Sequence, residues 1–181
     1  MKTTKFILFA LMISLASFSF GQQKKKKPAL SPLCVLEQNV ATSTVAIKYS
    51  RPSARGRVIF GDLLPYGVFW RTGANAPTKI TLQDSCKIGG SIVAPGTYEI
   101  FTIPNKEEWN VVLNKDTTVL EGFDHDKTKD VANFTVKSQK TAEYTEVFTI
   151  DFVKLTKTSG TLELRWENTK IDFDLDFKLH D

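Results

Sequence analysis

Four of the chain's five arginines, Arg51, Arg55, Arg57 and Arg71, fall within twenty-one residues, and every other basic residue except Arg165 is a lysine. Arginine carries a planar fork of donors that fits carboxylates, phosphates and backbone carbonyls, and it stacks on aromatic faces. Tyr49, Phe60, Tyr66, Phe69 and Trp70 are interleaved with these arginines. Residues 49–75, YSRPSARGRVIFGDLLPYGVFWRTGAN, therefore hold one of two things. One is a polar binding surface. The other is a hydrogen-bonded clasp that pins loops onto a sheet.

Within this segment Trp70-Arg71-Thr72-Gly73-Ala74-Asn75 gathers an aromatic, a forked cation, a glycine and an amide. A small polar ligand or glycan would stack on the Trp70 indole and be gripped by Arg71 and Asn75. Alternatively, Trp70 plugs the core while Arg71 and Asn75 satisfy loop carbonyls. In both versions Arg71 is partly buried and makes at least two hydrogen bonds, within the protein or to its ligand. Ser50-Arg51-Pro52 to Gly56-Arg57 reads as a turn in which Gly56 takes a backbone angle that other residues resist. Arg51 and Arg57 there offer further anion contacts, although no glycine-rich phosphate loop leads into a helix.

Other chemistries lack their parts. Asp124, Asp126, Thr128 and Asp130 alternate like the start of a calcium loop. The glycine and the closing bidentate glutamate are missing, with Lys129 and Thr135 in those places. His125 and His180 are the only histidines, so neither a transition-metal site nor a serine triad is signalled. A glycosidase needs two carboxyls facing one cleft, and period-two alternation puts Glu99 and Glu163 on outer faces. No motif calls for a cofactor. Cys34 and Cys86 are the only cysteines and have no CxxC spacing. They form one disulfide or remain two separate inert thiols.

Strands must position whatever the arginines do. Val45, Ile47 and Tyr49 alternate with polar neighbours, as do Ile80 and Leu82, Trp109, Val111 and Leu113, and residues 147–153. The clearest pair lies near the C-terminus. Leu162, Leu164 and Trp166 alternate with charges, and after a turn at Asn168-Thr169 so do Ile171, Phe173, Leu175 and Phe177. Gly89-Gly90 and Ala94-Pro95-Gly96 mark reversals. Only Asp62-Leu63-Leu64 and the stretch 124–129 suggest a single helical turn each. This pattern predicts an all-β chain, an antiparallel two-sheet sandwich of about ten short strands, with a closed or partly closed barrel as the alternative.

Residues 1–21 read as a secretory signal. Lys2 and Lys5 precede an apolar stretch, and Ser19-Phe20-Gly21 fits cleavage after Gly21. Residues 22–32, with Lys24 to Lys27 and two prolines, read as a linker. Residues 33–181 then form a single domain. The formal charge of +4 falls to +2 without Lys2 and Lys5, and to −2 without the lysine run. The body therefore has no electrostatic attraction to nucleic acid. No second apolar run follows, so no transmembrane segment is expected once the signal is removed.

Four stretches carry a family resemblance: Tyr49-Ser50-Arg51-Pro52 with Gly56-Arg57; Pro65-Tyr66-Gly67 with Trp70-Arg71-Thr72-Gly73-Ala74-Asn75; Pro95-Gly96-Thr97-Tyr98 with Phe101-Thr102-Ile103-Pro104; and Trp109-Asn110-Val111 leading to Asn114-Lys115. In these the chain resembles the bacterial family called domain of unknown function 2911 over residues 31 to about 178. The resemblance implies an exported protein with no assigned activity, and it carries over no catalytic residue. Leu120-Glu121-Gly122-Phe123-Asp124 departs from the tryptophan-glycine that relatives tend to have there. The function expected from the residues is a periplasmic or extracellular, non-enzymatic module. It would bind a small polar ligand, a glycan or an envelope partner through Trp70, Arg71, Asn75, Arg51 and Arg57. The alternatives are a hydrolase using Arg71 and Asn75, and a purely structural envelope protein.

Overall fold

The computed structural model describes residues 28–118 and 125–178. The signal and the lysine run lie outside the described residues, as do Asp124 and His180. The strands are β1 (Leu33–Val40), β2 (Ser43–Ser50), β3 (Thr78–Leu82), β4 (Cys86–Ile88), β5 (Ser91–Val93), β6 (Gly96–Ile103), β7 (Glu108–Asn114), β8 (Asp130–Lys137), β9 (Gln139–Leu155) and β10 (Ser159–Phe177). A six-stranded sheet runs β1-β2-β3-β6-β7-β8 and a four-stranded sheet runs β5-β4-β10-β9. All pairs are antiparallel. Two open sheets are what the alternation predicts, and the barrel alternative is not adopted.

Side-chain alternation decides which face of each strand turns inward. Val45, Ile47 and Tyr49 of β2, Ile80 and Leu82 of β3, and Trp109, Val111 and Leu113 of β7 are buried on the large sheet. Phe148 and Ile150 of β9 and the apolar set of β10 meet them from the other side. Burying such side chains stabilises by about 1.5–3 kcal/mol each. Tyr49 ties the layers polarly as well. Its hydroxyl donates to Ile150 O at 3.2 Å and accepts from Ile150 N at 3.0 Å. Burial pushes this phenol up to about 12.

Turn chemistry sets the joints. Gly89 and Gly90, at φ +57° and +90°, make the tight β4–β5 hairpin. A Cβ on Gly89 would also stand 2.1 Å from the Phe134 ring, so the position is closed to any side chain. β10 is one extended run with a sharp bend at Glu167, where φ is +52°. Its two halves face each other across that bend. Thr161 Oγ1 donates to Asp174 Oδ1 at 2.6 Å, Lys170 Nζ lies 2.8 Å from Glu163 Oε2, and Phe177 N donates to Thr158 O at 2.7 Å. This is the reversal expected one residue later, at Asn168-Thr169. The 124–129 stretch does wind once, as a 3-10 turn over Lys127–Lys129. Asp62 to Leu64 instead form a wider turn closed by Leu64 N on Ile59 O.

The centre of the sandwich is aromatic. The Trp70 ring stacks on Trp166 of β10 at 6.0 Å between centroids, and meets Trp109 of β7 edge-on at 6.3 Å and Phe148 of β9 at 5.1 Å. Phe60 closes the group, 4.8 Å from Trp109. Trp70 thus belongs to the interior, although it comes from the segment between β2 and β3. We expect Trp70→Ala to destabilise the protein by about 3–5 kcal/mol in urea unfolding, the cost of a large core truncation. Phe69→Ala, which removes a ring from outside this cluster, should cost less.

Candidate functional site

Residues 51–77 bridge the two sheets. Ser53 pairs with Val147 of β9, and Ala54 N donates to Glu146 O at 2.8 Å. Further on, Trp70 exchanges two backbone hydrogen bonds with Thr102 of β6, at 2.8 and 2.9 Å. Trp70 Nε1 donates to Gly73 O at 3.0 Å and Thr78 Oγ1 donates to Thr72 O at 2.5 Å, so the WRTGAN turn is stitched to itself. Thr72 and Asn75 take left-handed backbone angles, φ +54° and +62°, to make it. Gly56 at φ +70° fulfils the turn expected after Arg55.

The five residues singled out from the sequence divide into two groups. Arg51 and Asn75 are clasps. Arg51 Nε donates to Phe148 O at 3.2 Å and its Nη2 donates to Thr149 Oγ1 at 2.8 Å. Asn75 Nδ2 donates to Ser31 O at 3.3 Å and to Ser50 Oγ at 3.2 Å. Trp70, Arg71 and Arg57 line one cavity of about 410 Å³, together with Arg55, Leu64 and Trp166. Trp70 is only 7 % exposed and its face is spent on Trp166, so it offers the cavity an edge. The stacking platform expected for a sugar is not there. Burial won, because an indole gains more between two sheets than at a loop surface.

Arg71 finds no described clasp partner of its own. It is half-buried, yet its guanidinium makes no hydrogen bond or ion pair among the described residues. Its neighbours in the cavity are better tied. Arg57 Nε and Nη2 donate to Ala54 O and Ser53 O at 2.9 and 2.8 Å, and Arg55 Nη2 donates to Leu30 O at 2.6 Å. These are carbonyl partners, which leave the positive charges uncompensated. No acidic residue lines the cavity. Glu146, beside the cavity, accepts through Oε1 from Arg55 N at 2.8 Å.

One wall of this cavity is the chain's own early segment. Leu30 and Ser31 line it, and Pro32 O accepts from Arg51 N at 2.9 Å. Residues 30–32 were expected in the linker. They belong to the body instead, because Arg55, Asn75 and Arg51 each take up one of their carbonyls.

The cysteines are both free. Cys34 lies on β1 opposite Tyr49, and Cys86 lies on β4 opposite Phe177. Val40 reaches Gly160, which places the far end of β1 at the β10 start, near Phe177. Cys34 is six residues back along an extended strand, about 20 Å away at 3.3 Å per residue. A bridge needs alpha carbons within about 7 Å, so the disulfide is not formed. Burial, then the Asp176 charge, pushes the Cys86 thiol up to about 12 and keeps it unreactive.

Asp126 and Asp130 are engaged with protein groups. Asp126 Oδ1 accepts from Thr128 N and Oγ1 at 3.0 and 2.7 Å. Lys129 Nζ lies 2.5 Å from Asp116 and 3.8 Å from Asp126. Hydrogen bonds from Lys129 and Thr118 hold the Asp116 carboxyl well below the usual range. Sequence reasoning missed what sits beneath them. Glu99, assigned to a wet face, is fully buried on the outer face of the large sheet. Neither of its carboxyl oxygens has a hydrogen-bond partner among the described residues, and Lys79 Nζ stands 3.8 Å away. Burial raises this carboxyl to about 7 against the pull of Lys79. The available signal was Phe101 two residues on, an aromatic on the same supposedly wet face.

Residues 31–175 match the family model described as "Protein of unknown function (DUF2911)", and the chain belongs to that family. Neither the curated proteins nor the solved structures contain a match to it. No helix among the described residues is long and apolar enough to cross a membrane.

Two outcomes follow from this geometry. Arg51→Lys should cost about 1–3 kcal/mol for its two lost hydrogen bonds, whereas Arg71→Lys should stay within about 0.5 kcal/mol of the parent. Urea titration of both variants measures the difference. For Glu99 the folded state holds the proton more tightly than the unfolded state does. Its contribution is therefore full below the ordinary glutamate value, 4.5, and is lost as pH rises through about 7. Asp116, whose carboxyl is lowered in the folded state, loses its contribution only as pH falls below the ordinary aspartate value, 3.8, outside that window. Melting temperatures from pH 5 to 8 should fall for the parent relative to Glu99→Gln, and equal slopes would rule out a titrating Glu99.

Proposed function

We propose that this protein is an exported module that captures a small anionic molecule, carboxylate- or phosphate-bearing, in the cavity lined by Arg55, Arg57 and Arg71. The observation that carries this reading is Arg71, half-buried beside two other arginines with no described partner for its guanidinium and no carboxylate lining the cavity. A guanidinium with no described protein partner keeps its donors available for a bound anion. Its fork presents parallel donors suited to two oxygens of one acid group. Arg55 and Arg57 are held rigid by carbonyls, so their charge is already in place when a ligand arrives.

The rest of the cavity fits a compact ligand. Leu63, Leu64, Pro52 and the indole edges give an apolar floor, and about 410 Å³ is in the range of small-molecule sites. A glycan would be recognised here through an acidic group and not by stacking, since Trp70 has no open face. The leader-like residues 1–21 are the basis for placing this binding outside the cytoplasm.

Thermal shift of the mature protein against galacturonate, citrate and inorganic phosphate, with galactose as the neutral control, tests the reading. At 100 times its Kd a ligand adds about 2.7 kcal/mol, or about 5–10 °C at this chain length. At least one acid should give such a shift, galactose none, and Arg71→Gln should abolish it without lowering the melting temperature of the free protein. An equal shift with galactose, or an undiminished one in Arg71→Gln, would refute anion capture at this site.

A further inference from the structure

A second cavity, of about 520 Å³, opens on the outer face of the six-stranded sheet, built from residues that the arginine site does not use. Its floor is Val112 and Ile103, with Val68 and Phe69 on one side and His125, Lys127 and Asp130 on the other. The Phe69 ring stacks on His125 at 4.5 Å and packs on Phe101 at 4.7 Å, which fixes the imidazole plane. His125 Nε2 lies 2.6 Å from Asp130 Oδ1, and that same oxygen accepts from Asn114 Nδ2 at 2.7 Å. The two side chains are only 10 % and 15 % exposed.

The hydrogen-bond inventory of this cavity is lopsided. His125 spends Nε2 on Asp130, and its Nδ1 has no partner among the described residues. Asn133 Oδ1 accepts from Asn110 Nδ2 at 2.7 Å, and the Asn133 amide nitrogen has no partner among the described residues. The Lys127 ammonium has neither a hydrogen bond nor an ion pair among the described residues. The Asp130 carboxylate is occupied by Asn114 and His125, whereas the Lys127 ammonium has no described protein group to serve. Donors therefore converge from Lys127 and Asn133 at one side, and hydrocarbon from Val68, Ile103 and Val112 at the other. We propose that this cavity is a second ligand site, for a monocarboxylate with a short apolar chain or ring. The carboxylate meets Lys127 and Asn133 Nδ2 beside the His125 ring, and the apolar part lies on Ile103 and Val112.

The size fits: sites of 300–1,000 Å³ bury most of a small ligand, with a few placed polar groups giving orientation. The site is also separate from the first one. Phe69 and Trp70 are consecutive, and their rings lie on opposite sides of the sheet that Trp70 extends. Phe69 packs on Phe101 of the outer face, and Trp70 packs on the inner cluster.

Titration of the mature protein with sodium hexanoate, followed by the ring nitrogen signals of His125 in long-range proton–nitrogen spectra, tests the proposal. Hexanamide, which keeps the chain and lacks the charge, is the control. His180 is distinguished by assigning the spectra against His125→Gln. Hexanoate should shift the His125 signals saturably, with a Kd on the order of 1 mM, about −4 kcal/mol. Lys127→Gln, at an exposed position where folding is not at risk, should weaken it at least about tenfold. Arg71→Gln should leave it unchanged, whatever becomes of anion binding in the arginine cavity. Equal binding of hexanamide, loss of the effect in Arg71→Gln, or no shift up to about 20 mM hexanoate would each overturn the site.

Discussion

The packing of Trp70 against Trp166, Trp109 and Phe148 is the constraint on which the rest of the molecule rests. An indole carried by a loop has to reach the middle of the sandwich, and its N–H must be satisfied there. Gly73 O supplies the acceptor, so residues 70–73 close on themselves and the backbone of Trp70 pairs with Thr102. Everything polar about the segment follows from that insertion. Arg71 is swept to the rim of the cluster, Asn75 is turned onto the early segment, and the cavity forms where the aromatic group stops and the arginines begin.

The strands were legible because alternation is a backbone property that packing did not override. β2, β3, β7 and both halves of β10 bury the residues that their period-two patterns mark. The outer face of the large sheet was not legible. Glu99, Phe101, Val112 and Asn114 alternate with inner residues as a solvated face would, yet all are buried. The described cover over Phe101 is Phe69 and His125, from segments with no periodicity of their own. A pattern reports two faces, and it is silent about a loop that later lies down on one of them.

The same limit explains the candidate site. Arginine clustering pointed to the right segment, but spacing along a chain does not separate a clasp from an open donor. Arg51 found a carbonyl and a threonine hydroxyl on β9, while Arg71, with the same chemistry, found none among the described residues. His125 looked isolated because its partner, Asp130, was read as part of an abortive calcium loop. Only the fold of that stretch, with Asn114 behind it, makes the pair.

The early segment that walls the arginine cavity has a mechanical side. Residues 30–32 are held by three hydrogen bonds, from Arg55, Asn75 and Arg51. β1, which follows directly, is held by a ladder of eight residue pairs. Fraying inward from residue 30 therefore meets a weak seam before a strong one, and the weak seam is the rim of the cavity. That rim can open while the sandwich stays intact, so the cavity wall and the core melt at different free-energy costs.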